Sequence, residues 1–269
     1  MIQRWIRQQQ LGAFVAITFG WTWGWDALFF VFDLWDVLAF NVPRVWGPLV
    51  AALVVIGASE RSLRAWFARR LRWRLGPALF LVALLIPLII SNLQPVIAAL
   101  GGGSLVYAPP AAVHLMAVWI LLNVFLLGGT EEIGWRGVLQ PRLQARVSVL
   151  TAGLGIGVLW WLWHLPLFLT GNPNYSLEPW AFAAYTAFAL GASTVFAALA
   201  NVTDGSVLPV MVMHGAVNLG AALEASGGVL TGSPVIPLIG AGLWWLIVLA
   251  LVLRYGRSMV PNPTLKPIA

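Results

Sequence analysis

Glu131 and Glu132 stand side by side in the run Gly129-Thr130-Glu131-Glu132-Ile133-Gly134-Trp135-Arg136, at the end of a long apolar stretch. A charged side chain at the centre of a lipid-spanning helix costs about 2.5–3.5 kcal/mol on insertion scales. An acidic pair at that depth marks a functional site. Glu132 and Arg136 are four residues apart, so on a helix they share a face and can pair. Glu131 projects ~100° away and is free to face elsewhere. Two adjacent carboxylates in low dielectric do not ionise as equals, and the unpaired one suits a general base working near neutral pH.

Two further constellations lie downstream. In Trp160-Trp161-Leu162-Trp163-His164-Leu165-Pro166, Trp160 and His164 are again four apart, and Pro166 predicts a bend beside the histidine. In His214-Gly215-Ala216-Val217-Asn218, the histidine and asparagine share one helix face, and Gly215 permits close approach. Each alone could be a structural clasp. Together they put an acid pair, a histidine and a His/Asn pair on three apolar runs, and the economical reading is one polar, water-accessible cavity. Such a set supports two chemistries. Glu131 with His164 can activate a water while His214 and Asn218 stabilise the oxyanion of an attacked amide. Alternatively, Glu131, His164 and His214 can hold a zinc ion with one position open. Residue types alone leave both open.

The elements that must carry these residues are membrane helices. The chain is 60% hydrophobic and 9% charged, against about 25% charged in soluble domains, and its mean hydropathy is +0.87. Eight apolar runs reach or approach the ~20 residues needed to cross hydrocarbon: 11–32, 42–58, 77–100, 112–129, 149–169, 179–199, 207–222 and 235–253. The first contains Asp26 and lacks a clear cleavage site, so it reads as a retained span, not a leader. Residues 60–74 interleave six arginines with Trp66, Phe67, Leu71 and Trp73, the pattern of a basic amphipathic helix on an anionic inner leaflet. With the N-terminus inside, every basic residue except Arg44 falls on the cytoplasmic side. The expectation is an all-α polytopic bundle of about eight transmembrane helices with both termini cytoplasmic, a single integral membrane domain over 1–269. The acidic pair then lies toward the cytoplasmic side. There is no cysteine, which excludes a disulfide, a thiolate nucleophile and a Cys-ligated metal. The arginines follow topology, so nucleic acid is not an expected partner.

The order and content of the motifs resemble the CPBP family of intramembrane proteases, which includes type II CAAX prenyl endopeptidases and bacteriocin-processing or self-immunity proteins. The family pattern, Glu-Glu-x-x-x-Arg, then aromatic-x-x-x-His, then His-x-x-x-Asn, is matched by Glu131 to Arg136, Trp160 to His164, and His214 to Asn218. Trp160 departs mildly from the usual Phe. The resemblance covers residues 113–220, a protease-like core. It implies that Glu131 and His164 activate water, that His214 and Asn218 form the oxyanion side, and that Glu132, Arg136 and Trp160 support them. It implies an enzyme of metalloprotease or glutamate-protease type, with zinc undecided. It also implies a peptide or protein substrate at the bilayer, with lipidation open. Short loops and arginine-rich, lysine-poor usage suggest a multi-pass protein of a prokaryotic cell membrane.

A transporter with a proton relay, or a non-catalytic membrane immunity protein, would use the same polar residues differently. No internal repeat supports an inverted-repeat transporter. There is also no His-Glu-x-x-His motif and no Gly-x-Gly-Asp motif. Asp26, among Trp23, Trp25 and Phe29, is left without an assigned role, and His114 reads as structural or interfacial.

Overall fold

The structure is a computed structural model describing residues 2–35, 38–59, 62–102, 113–170, 175–225 and 235–262. Glu60 and Arg61 of the basic segment, Ala112 at the start of the fourth predicted span, and Lys266 of the tail lie outside the described residues. All regular structure among the described residues is helical. The helices are α1 (Ile2–Gln8), α2 (Gln10–Phe32), α3 (Leu38–Val45), α4 (Gly47–Ser59), α5 (Leu63–Arg70), α6 (Pro77–Leu100) and α7 (Val113–Phe125). There follow α8 (Gly128–Gly134), a π-helical turn (Trp135–Leu139), α9 (Gln140–Gln144) and α10 (Val149–Trp163). A 3₁₀ turn (Leu165–Leu169) leads to α11 (Pro179–Val202), α12 (Leu208–Ala225) and α13 (Ile236–Tyr255).

Six stretches are long and apolar enough to cross a bilayer: Gln10–Phe32, Pro77–Leu100, His114–Gln144, Val149–Leu169, Pro179–Val202 and Ile236–Ser258. Gly47–Ser59 and Leu208–Ala221 are apolar but shorter, and a count of eight rests on them. The chain is therefore a multi-pass membrane helix bundle. The second predicted span is broken at Trp46, because Pro48 has no N–H to donate to the Arg44 carbonyl one turn back; that carbonyl accepts from Thr22 Oγ1 at 3.0 Å instead.

In lipid the apolar effect does not bring helices together, and close contact between small residues does. Helix α10 packs on α11 in this way. A Cβ added at Gly153 would lie 2.9 Å from Thr194 Cα, and one at Gly157 would lie 3.0 Å from Leu190 Cα. The wholly buried helix α8 is the centre of the bundle, flanked by α4, α7 and α12. A Cβ on Gly134 would run into the Pro48 carbonyl, so only glycine lets α8 approach α4 this closely.

Two expectations are corrected. The basic segment does not simply lie on the leaflet. Only 63–70 is helical, capped by Ser62, whose Oγ accepts from the Ala65 N–H at 3.2 Å. Trp66 and Arg70 are buried, because this helix docks beneath the bundle. The Trp66 indole lies against Gly137, Arg70 Nη1 donates to the Gly205 carbonyl at 3.2 Å, and Arg72 Nη2 to the Thr203 carbonyl at 2.9 Å. The acidic pair, likewise, does not end a span. The helix breaks earlier, at Leu126-Leu127, and restarts at Gly128. Glu131 therefore lies ~20 Å along the axis from Gln144, near the middle of the 114–144 stretch and not beside its arginine-bearing end.

Candidate active site

The break before α8 opens a gap that the site fills. Leu127 has left the helical region (φ −108°, ψ −131°), and Thr130 Oγ1 donates to its carbonyl at 2.7 Å. This starts α8 inside the bundle with its first turn facing α12. A Cβ on Gly128 would sit 2.5 Å from Asn218 Nδ2 and 2.7 Å from His214 Nε2, so the α8 backbone touches the third motif directly.

Glu131, Trp160, His164, His214 and Asn218 all line one cavity of about 560 Å³. Glu132 and Arg136 do not line it; they lie behind it, fully buried. Glu131 Oε2 accepts from the Trp160 indole N–H at 2.9 Å. The Trp160 ring lies between the two histidines, 5.3 Å from each ring centre. Trp160 thus fixes the carboxylate and both imidazoles at once, a larger part than packing beside His164.

Each histidine has one nitrogen committed. His164 caps α10, where the chain tightens into the 3₁₀ turn that carries Pro166. Its Nδ1 faces the Trp160 carbonyl at 2.8 Å. A carbonyl only accepts, so this partner assigns the proton to Nδ1 and leaves Nε2 with its lone pair. His214 Nδ1 meets Glu132 Oε1 at 2.7 Å, which likewise turns Nε2 toward the cavity. Glu132 is held in turn by Arg136, whose Nη1 is 2.9 Å from Oε2. Arg136 Nη2 donates to Ser193 Oγ at 2.8 Å and to the Ser193 carbonyl at 3.1 Å, and Ser193 Oγ donates to the Gly153 carbonyl at 2.9 Å. The π-turn carries Arg136, and such turns recur at functional sites. On the other side, Asn218 Nδ2 donates to Asn123 Oδ1 at 3.0 Å, and Asn123 Nδ2 to the Trp119 carbonyl at 2.9 Å. One N–H of the Asn218 amide is thereby fixed and its second remains.

Glu131, His164 and His214 were also the candidate zinc ligands. Among the described residues, no three His, Asp or Glu side chains are grouped closely enough to hold a metal ion. The arrangement does not fit a three-ligand zinc site.

Residues 113–220 match the family model described as type II CAAX prenyl endopeptidase Rce1-like. That segment is similar to the type II CAAX prenyl endopeptidases, and the match covers less than half of the chain. A stretch of 59 residues is 42% identical to a protein of Methanococcus maripaludis named CAAX prenyl protease 2. The match covers 22% of this chain and 21% of that relative, so it spans about a fifth of the relative's length.

Residues 113–220 do not build the cavity alone. Asp26 on α2 pairs with Arg44 on α3, through Nε to Oδ1 and through Nη2 to Oδ2 at 3.3 Å. The Arg44 guanidinium lies 5.2 Å from the Trp163 ring centre and lines the cavity. Tyr175 stacks on His164 with ring centres 5.8 Å apart. Gln94 on α6 and Trp244 on α13 complete the wall. Sequence reasoning left Arg44 as the basic residue on the wrong side and Asp26 unassigned. Their joint misfit, one acid and one base each in an apolar run, was the signal that they pair. Tyr175 and Gln94 carried no comparable signal. His114 is exposed and does not line the cavity.

Proposed function

We propose that this chain is an intramembrane endopeptidase that hydrolyses a peptide bond of a membrane-associated polypeptide. The chain is read as one integral membrane domain of a prokaryotic cell membrane, with 113–220 as its protease-like core. The observation that carries the reading is the convergence of Glu131, His164, His214 and Asn218, from three separate helical runs, on one cavity.

Water is the nucleophile. Glu131 takes a proton from it, assisted by the free Nε2 of His164, and the water oxygen bonds to the scissile carbonyl carbon. The carbonyl oxygen becomes an oxyanion, which receives hydrogen bonds from the remaining Asn218 amide N–H and from Nε2–H of His214 in its imidazolium form. The C–N bond then breaks, and the proton held by Glu131 passes to the leaving amine. Glu132 and Arg136 act through His214: the carboxylate fixes Nδ1, and the arginine holds the carboxylate in place. No step passes through a metal. Aromatic walls from Trp160, Phe188 and Trp244 suit an apolar peptide segment, and they exclude bulk water from the reacting bond.

The test uses the purified protein in liposomes with a panel of membrane-anchored peptides and mass spectrometry of the products. The wild type is expected to generate new amino and carboxyl termini, with one ¹⁸O from labelled water in the new carboxylate. His164→Ala and His214→Ala are expected to generate neither. Equal products from wild type and both variants would overturn the reading.

A further inference from the structure

The arginine-bearing end of the bundle is a single surface. Arg7 donates from Nε to the Ala58 carbonyl, Arg142 to Gln10, and Arg72 to Thr203 and Asp204. The Val207 N–H donates to the Arg70 carbonyl at 2.7 Å. These bonds tie the N-terminus, the end of α4, the α5 segment, the end of α9 and the α11–α12 connection to one face. Arg146 lies two residues before Ser148, the N-cap of α10, Arg74 precedes α6, and Arg254 lies in the last turn of α13.

The cavity is built from the opposite halves of the same helices. On α10, which starts at the basic face with Val149, it is lined by Trp160 and by His164 at the cap, the latter ~22 Å along the axis. On α11, which ends at the basic face with Val202, it is lined from Ala181 to Phe188, and Tyr185 is ~25 Å away. On α13 the lining runs from Pro237 to Trp244, far from Arg254, and on α6 from Pro87 to Gln94, far from Arg74. The hydrocarbon layer is ~30 Å thick, so the cavity occupies the half of the bundle away from the arginines. Toward the basic face it is sealed. Trp135, Arg136, Gln140 and Phe196 have no exposed surface and form a floor beneath Glu131 and His214. The far end carries the exposed carboxylates Asp33 and Glu178, and the cation nearest the cavity, Arg44, is buried against Asp26.

Cations collect on the cytoplasmic side of polytopic proteins. From this asymmetry we infer that the cavity opens to the extracytoplasmic face and takes its substrate from there. This rests on the proposed peptidase reading and narrows its substrate class. The site receives exported or membrane-inserted polypeptide segments presented at the outer leaflet, not the tails of cytoplasmic proteins.

The chain has no cysteine, so single-cysteine variants report access without background. Ala181→Cys places a thiol on the cavity wall, and Ala145→Cys places one at the exposed end of α9 beside Arg146. Both are treated with a membrane-impermeant maleimide in right-side-out and in inverted vesicles of the producing cell. The expected result is modification of Ala181→Cys in right-side-out vesicles only, and of Ala145→Cys in inverted vesicles only. Modification of Ala181→Cys from the inverted side, or from neither side, would overturn the inference. Labelling needs no peptidase activity, so this outcome is independent of whether the hydrolytic reading stands.

Discussion

Gly128→Ala is the sharpest perturbation the geometry offers. The added Cβ would lie 2.5 Å from Asn218 Nδ2 and 2.7 Å from His214 Nε2, where ordinary contact begins at 3.4 Å. Both groups must retreat by roughly 1 Å, and a 1 Å misplacement costs on the order of 100-fold in rate. That is about 2.7 kcal/mol of barrier. The fold suffers less. Overpacking costs about 1–3 kcal/mol, but alanine is about 1 kcal/mol better than glycine inside a helix. The net loss is about 0–2 kcal/mol, a fall in Tm of less than ~10 °C. The assay pairs cleavage kinetics in liposomes with thermal unfolding in detergent. In the proposed mechanism the displaced groups serve the transition state, so the loss should fall on kcat more than on KM. Gly155→Ala on α10, where a Cβ meets nothing within 4 Å, is the control and should retain activity. A folded Gly128→Ala protein cleaving at the wild-type rate would refute the placement of His214 and Asn218 at the reacting bond.

Trp160→Phe keeps the packing but removes the N–H that holds Glu131. Hydrogen bonds to charged groups contribute about 1.5–3 kcal/mol, so cleavage should fall roughly 10- to 100-fold with little change in Tm. Asp26→Ala strands the Arg44 charge in the bundle and should cost about 3–5 kcal/mol of stability; the double change Asp26→Leu with Arg44→Met should recover most of the lost Tm. Treatment with a strong chelator should leave cleavage unchanged, and elemental analysis of active protein should find far less than one zinc per chain. Chelator-sensitive activity restored by zinc would instead point to a metal held in a rearranged site.

The helices were legible because lipid leaves no choice: a backbone that cannot hydrogen-bond to solvent must form helices, and six apolar runs sufficed to cross. What lipid does not dictate was harder to read. The break at Leu126-Leu127 follows from tertiary packing of Gly128 and Gly129 against α12 and α7, which a run of apolar letters does not record. The division between Glu131 and Glu132 was legible from helical spacing, and it survives the π-turn that carries Arg136. The tie from Glu132 to His214 was not, since the two are 82 residues apart. It gives Glu132 a second task beyond pairing with Arg136. Arg136 was counted among the cytoplasmic cations, whereas it is fully buried.

The central claim is that Glu131 activates the attacking water, and Glu131→Gln tests it most directly. Glutamine retains the volume and can still accept from the Trp160 indole, but it cannot take a proton. Single-turnover cleavage of a membrane-anchored peptide by the purified variant should be undetectable, with Tm within a few degrees of the wild type. Cleavage at the wild-type rate by folded Glu131→Gln protein would contradict the account.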